Sequence, residues 1–166
     1  MAEHFPLRQL IRDPASDSQE SAARVLVPLV PPSGRVAAEV TTDGLLLHAT
    51  TELDLEMAVD KLRGASRQLA VGKPQINYIQ SDVWQEPFAS LIVKLPTERL
   101  ADVRRDLQAR RTEVQECKSS GSSETIIRAL APMAELFGYA TSLRVLTAGR
   151  GSFEQEFVEY RPFPRL

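Results

Sequence analysis

Six short segments of alternating type in the second half of the chain restrict the fold more than any other feature of the sequence. Turn residues separate them, and the spacing of apolar residues changes between about two residues, as in strands, and about 3.6, as in helices. The predicted elements are strand 88–95, helix 97–111, strands 113–118 and 124–130, helix 137–148 and strand 152–160. This order predicts a four-stranded antiparallel sheet with both helices on one face, the split βαβ or ferredoxin-like fold.

The first half of the chain follows a related plan. Two runs at 35–41 and 45–50 are rich in valine, leucine and threonine, and Asp43-Gly44 between them predicts a hairpin turn. Thr51 predicts the start of a helix, because its hydroxyl can cap the first turn and Asp54 stands three residues later, as in a capping box.

The remaining pieces of the first half are shorter. The run VLVPLV at 25–30 predicts the opening strand, and strand-like pieces follow the helix at 68–71 and 75–80. The small polar stretch DPASDSQESAA offers little for a core to hold, so we expect a flexible tail at 1–23. The first domain is therefore expected to be missing one helix.

The predicted architecture is α+β, with two tandem ferredoxin-like (split βαβ) domains whose antiparallel sheets carry helices on one face. We expect the tail at 1–23, the first domain at 24–80, a linker at 81–85 and the second domain at 86–163.

Composition excludes several function classes. A chain that is 43% hydrophobic and 25% charged has the make-up of a globular protein. Cys117 is the only cysteine, and His4 and His48 lie far apart, so we predict no disulfide, metal site or cofactor. The start of the sequence has no signal pattern and no apolar run approaches about 20 residues, so we expect a cytoplasmic protein without a membrane partner.

The run MAELFGYATSLRVLTAGRGSFEQEFVEY, at 133–160, resembles the end of domain V of translation elongation factor G and of its tetracycline-protection relatives. EPFASLIVKLP and ADVRRDLQARR are similar to the first strand and first helix of the same domain. TELDLEMAVDKL and VGKPQINY in the first half resemble domain III more weakly. There, Ala49-Thr50-Thr51 replaces the Gly-Met-Gly of the family, and Asp54 replaces its histidine.

Other parts of that factor have no counterpart in these residues. The sequence contains no G-x-x-x-x-G-K-[ST] phosphate loop, the domain II barrel is missing, and domain IV is reduced to about residues 79–85. We therefore expect no GTP hydrolysis and no other enzyme activity from this chain.

The resemblance implies that the segment 135–151 faces large-subunit RNA near the base of the factor-binding stalk. A helix start near Gly138 offers amide groups to phosphate, Tyr139 could stack or donate, and arginines could bind phosphate in a forked geometry. The candidate RNA-binding residues are Gly138, Tyr139, Thr141, Arg144, Arg150, Arg110, Arg111 and Lys73.

A structural interpretation of the same residues stays open. Leu143 and Leu146 would be core, glycines would shape the turn before the last strand, and Arg144 would be solvated. The five arginines of 99–111 would form a solvated face laced with ion pairs, and Lys73 would be merely exposed.

Two main hypotheses follow. The chain is a translation-associated protein that docks on the large ribosomal subunit near the GTPase centre, with large-subunit RNA and stalk-base proteins as partners and without DNA binding. Alternatively, it is a protein-interaction module that binds a separately encoded translational GTPase without RNA contact. A third interpretation is a truncated gene product without a role of its own.

Overall fold

The computed structural model describes residues 5–66 and 68–164, and the chain divides after Asn77 into two compact units. The elements of the N-terminal unit are β1 (Leu7–Arg12), α1 (Gln19–Leu26), β2 (Val36–Thr41), β3 (Gly44–Ala49), α2 (Glu52–Ala65), β4 (Ala70–Val71) and β5 (Gln75–Ile76). Those of the C-terminal unit are β6 (Ile79–Gln80), β7 (Trp84–Pro96), α3 (Leu100–Ala109), β8 (Glu113–Ser120), β9 (Glu124–Pro132), α4 (Tyr139–Leu146) and β10 (Ser152–Pro162).

The N-terminal unit has a complete βαββαβ order. Its antiparallel strands lie in the order β2-β3-β1-β4, with β5 also paired to β1. Alternate residues of β1 and β3 point to the same side, where Leu7, Ile11, Leu45 and Leu47 are at most 1% exposed. The strand order is that of a ferredoxin-like fold.

The prediction of a flexible tail at 1–23 is wrong over residues 5–23, which the structure describes. β1 lies in the middle of the sheet, between β3 on one side and β4 and β5 on the other. The side chain of Ser18 then accepts a hydrogen bond from the amide of Ser21 and caps α1, which buries Ala23 and Leu26. The small polar residues that looked like a tail form the turn after β1, the cap at Ser18 and the first residues of α1.

The predicted opening strand at 25–30 is also wrong, and so is the missing helix. Val25 and Leu26 end α1, and Val27–Leu29 form a 3-10 helix with proline near its start. The preference of valine for strands is weak. Here the cap at Ser18 and the burial of Ala23 and Leu26 stabilise a helix instead.

The predicted hairpin and second helix are confirmed. β2 and β3 join across a turn that pairs Thr41 with Gly44, and Thr51 caps α2 by accepting from the amide of Asp54. Gly44 has a φ of +139°, and a Cβ there would lie 2.4 Å from the carbonyl oxygen of Ile11. This position therefore requires glycine.

The C-terminal unit follows the six predicted elements, with strands in the order β10-β7-β9-β8 and β6 paired to β7. A single 3-10 turn, Thr97–Arg99, precedes α3. The core lies between the sheet and the helices, where Val93, Ile127, Val103 and Leu107 are fully buried. The predicted linker at 81–85 is shorter than expected, because β7 already begins at Trp84.

Along the described residues, no helix combines the length and the apolar character that a membrane crossing requires.

Candidate nucleic-acid interface

The two helices of the C-terminal unit lie antiparallel and are tied together at both ends by arginine side chains. At the end of α3, Arg110 donates to the carbonyl oxygen of Glu135 at 2.6 Å and to the hydroxyl oxygen of Ser142 in α4 at 2.9 Å. At the other end, Arg150 after α4 pairs with Glu98 before α3. Arg110, whose side chain is 17% exposed, therefore links the two helices, whereas both side chains of the Arg150–Glu98 pair are more than half exposed.

Arg111 pairs with two carboxylates. Its guanidinium forms a fork with the carboxylate of Glu86 at 2.9 and 3.0 Å, and its Nε donates to Glu135 at 3.1 Å. Glu86 is only 1% exposed. Its hydrogen bonds to Glu86 raise the pKa of Arg111, so this residue stays charged and its charge is already matched within the unit.

Tyr139 is a core residue, and its ring is not available for stacking on a base in this structure. It is 1% exposed, lies edge-on to Phe153 with ring centroids 5.1 Å apart, and is covered by the guanidinium of Arg110. Burial, and to a smaller extent Asp106, raise the pKa of the Tyr139 phenol well above its ordinary value. Its hydroxyl has no hydrogen-bond partner among the described residues.

Gly138 shapes the start of α4. It has a φ of +73°, in the left-handed region, and its carbonyl oxygen accepts from the amides of Thr141 and Ser142. A Cβ at Gly138 would meet nothing within 4 Å, so the backbone conformation, and not the available space, favours glycine. The side chain of Thr141 is exposed on the first turn.

Arg144 differs from the other predicted arginines. It is exposed on α4, and among residues 5–66 and 68–164 no carboxylate forms an ion pair with it. Ser142 faces α3, and Arg144 stands two residues further on, about 200° around the helix, so it points away from α3. Its neighbour Val145 is 74% exposed.

Lys73 is exposed between β4 and β5 and belongs to the N-terminal unit.

The structure adds an arginine that the prediction did not single out. Arg104 on α3 is exposed and, within the described chain, has no ion-pair partner, whereas Arg105 lies 3.7 Å from Asp102 in an exposed pair. The surplus of arginine over aspartate in this helix was visible in the sequence. Which arginines keep their charge uncommitted depended on the tertiary contacts.

The two layers of the C-terminal unit carry opposite charge. Residues 97–111 and 137–151, which contain both helices, hold seven arginines and three acidic residues. The strands β7 to β10 hold seven acidic and four basic residues. By formal charge, the helical layer is therefore the more favourable of the two sides for a polyanion.

The described residues contain no group of three or more histidine, cysteine, aspartate or glutamate side chains that could hold a metal ion. Cys117 is exposed on β8.

Solved structures share the fold of this chain, and one of them covers nearly all of it. The crystal structure of the protein ttk003000868 from Thermus thermophilus matches with a TM-score of 0.62 at 17% sequence identity. The match covers 97% of this chain and 41% of that chain, so this chain spans less than half the length of that protein.

A sequence family model covers the C-terminal unit. The model described as Elongation factor G C-terminus matches residues 83–165, which is half of the chain and includes β7 to β10 and both helices between them. The resemblance carried by the segment 133–160 is thereby confirmed, and the C-terminal unit is a translation-factor-like domain. This chain belongs to the elongation factor G C-terminus family.

Proposed function

We propose that the chain is a translation-associated, elongation factor G-like protein whose C-terminal unit docks on RNA of the large ribosomal subunit near the GTPase centre. The observation that carries the proposal is the helical layer, with its surplus of arginine and with Arg104 and Arg144 unpaired among the described residues.

The sign of the charge determines the orientation of docking. RNA presents a dense array of phosphates, and arginines that neutralise them release bound counterions, which favours binding and makes it depend on salt. The phosphates repel the acidic sheet layer, so that layer is expected to face away from the RNA. The helical layer is thus the RNA-facing side in our proposal.

Arg150 can contribute in a second way. Its pair with Glu98 is exposed, with the two side chains 53% and 64% accessible. Exposed ion pairs contribute little to stability, so Arg150 can exchange Glu98 for a phosphate at low cost. Its hydrogen bond to Glu98, followed by its charge, holds the pKa of that carboxyl below its usual range, so Glu98 stays ionised and competes with the phosphate.

We further propose that these residues act by docking and not by hydrolysing GTP. The 166-residue sequence contains no phosphate-loop motif. Stalk-base proteins next to the RNA would be additional partners, and the role places the protein in the cytoplasm.

Co-sedimentation with purified 50S and 70S ribosomes tests the proposal. We expect the protein to move into the ribosomal fraction at low salt and to be released as salt rises. Arg104→Ala with Arg144→Ala should weaken binding, whereas Lys94→Ala, which removes an exposed cation from the sheet, should not. If the protein stays in the supernatant at low salt, the proposal is wrong.

A second candidate function is binding to a protein such as a translational GTPase. The N-terminal unit favours it, because Val25, Leu53 and Met57 on its helices are 74%, 62% and 56% exposed. A pull-down with a purified translational GTPase would test this function. Leu53→Ser with Met57→Ser should abolish capture, and Arg144→Ala should leave it unchanged.

A further inference from the structure

We propose that Arg110 and Arg111 are positioning residues, which hold the segment Glu135–Ser142 in place so that α4 presents a preformed RNA-facing surface. The inference rests on the proposed function for the role of that surface. The contacts that support it are independent of any ribosome.

Arg110 connects α3 to the start of α4 through every part of its guanidinium. Nη1 donates to the carbonyl oxygen of Glu135, Nη2 donates to Oγ of Ser142, and Nε donates to Asp106 at 3.0 Å. The plane also lies over the ring of Tyr139, 5.1 Å from its centroid. The side chain is only 17% exposed, and the groups that bind its guanidinium lie within the unit.

Arg111, the next residue, turns the other way and connects two different elements. It forks onto Glu86 in β7 and reaches Glu135 in the 3-10 turn Met133–Glu135. The consecutive arginines therefore hold Glu135 from both sides, one by its carbonyl and one by its carboxylate. The segment before α4 is thereby tied to both α3 and β7.

Arg111 occupies a backbone conformation in which glycine would be less strained than arginine. Its φ is +55°, a left-handed conformation that usually favours glycine after a helix. Thr112 follows, with its amide bonded to the carbonyl oxygen of Leu107 and its buried hydroxyl without a partner in the described chain. A glycine at 111 would relieve the backbone but lose both carboxylate contacts.

This geometry separates two roles that arginine can play in an RNA-binding surface. A residue that contacts phosphate contributes charge, so its removal lowers the salt dependence of binding. A residue that positions the surface keeps it in the binding conformation. Its removal lowers affinity at every salt concentration but leaves the slope of log affinity against log salt unchanged. Arg144 belongs to the first kind, and Arg110 and Arg111 belong to the second.

Hydrogen exchange of the free protein combined with ribosome binding at several salt concentrations tests the assignment. Arg110→Lys keeps the charge but cannot bond Asp106, Glu135 and Ser142 at once, so we expect it to speed amide exchange in 136–143 about tenfold. Its affinity should fall while the slope of log affinity against log salt stays that of the wild type. Arg144→Ala should leave exchange unchanged and lower the slope by about 1.

Ser142→Ala provides a milder variant, because it removes a single acceptor of Arg110 and preserves the ion pairs. It should speed exchange in the same segment by a smaller factor. Wild-type exchange in both Arg110→Lys and Ser142→Ala would overturn the positioning role, as would a lowered salt slope in Arg110→Lys. Failure of the wild-type protein to bind ribosomes would instead sink the proposed function, and the exchange result would still decide whether the segment is held by Arg110.

Discussion

The two units share one folding plan but present different chemistry on their helices. In the N-terminal unit, α1 and α2 carry five acidic and three basic residues and expose Val25, Leu53 and Met57. In the C-terminal unit, the helical layer holds seven arginines and three acidic residues. The inward faces specify the same fold, and the outward faces are free to differ because they hardly affect it.

The units also use a buried carboxylate in different ways. In the N-terminal unit, Asp54 is 9% exposed and anchors the start of its own helix, with Arg35 as the cation. In the C-terminal unit, Glu86 lies on a strand and anchors the end of a helix through Arg111. A carboxylate can thus fix either end of a helix, provided that its charge is matched.

The largest effect is expected from Arg111→Ala, which leaves the carboxylate of Glu86 buried without its cation. Removal of the cation from a buried carboxylate is strongly unfavourable. Because Arg111 is itself 41% exposed, we expect the low end of the range for buried pairs, a loss of about 3 kcal/mol in the unfolding free energy of the C-terminal unit. Chemical denaturation would measure it. The double variant Arg111→Ala with Glu86→Gln should recover part of the loss, and a single-variant cost below about 1 kcal/mol would contradict the comparison.

A somewhat smaller effect is expected from Asp54→Asn in the N-terminal unit. Asp54 accepts from Arg35 at 3.1 Å through both oxygens, and from the hydroxyls of Thr50 and Thr51 at 2.8 and 2.6 Å. An amide cannot accept all of these bonds, so we expect a loss of about 2 kcal/mol in unfolding free energy. The exposed Asp60→Asn on the same helix is the matched control and should change little.

The same carboxylate predicts a dependence on pH. Burial alone would raise the pKa of Asp54, but the hydrogen bonds from Arg35, Thr51 and Thr50 together hold that pKa below its usual range. The stabilisation is therefore complete above the unfolded-state pKa and is lost as pH falls through the folded-state value. As pH falls below about 4, the unfolding free energy of the wild type should approach that of Asp54→Asn. A difference between the two free energies that stays constant with pH would contradict this assignment.

The smallest effect on stability is expected where the effect on function is proposed to be large. Arg104→Ala and Arg144→Ala remove exposed side chains, so each should change the unfolding free energy by less than about 0.5 kcal/mol. Each should weaken ribosome binding about tenfold, as expected for the loss of a charged hydrogen bond. A thermal unfolding curve shifted as far as that of Arg111→Ala would show that these residues are structural.

The fold was predictable where a local signal was strong. The Asp43-Gly44 turn, the Thr51 cap and the six elements of the C-terminal unit all have signals within a few residues, and the structure confirms them. β1 and α1 were missed because their signals are short. A six-residue strand with Gln9 on its buried face breaks the alternation, and the cap at Ser18 lies within a polar stretch that also fits a tail.

The candidate site was predictable only in part. The sequence proposed the segment 135–151 and the arginines as candidates, but Arg110, Arg111, Arg150 and Arg144 are chemically identical there. Apart from the local pair of Arg110 with Asp106, their division into tied and untied residues depends on partners 24 to 52 positions away, such as Glu135 for Arg110 and Glu98 for Arg150. No local pattern contains that information.

By itself, the sequence determined the order of the elements, the membership of the C-terminal unit in its family and the surplus of arginine near its helices, because periodicity, turn residues and charge are properties of neighbouring residues. Only the tertiary structure decided that Tyr139 is core, that Arg110 and Arg111 are consumed in internal contacts, and that Arg104 and Arg144 point outward without an ion-pair partner among the described residues. The physical reason is that burial and the matching of a charge depend on which distant groups the fold brings within hydrogen-bond reach.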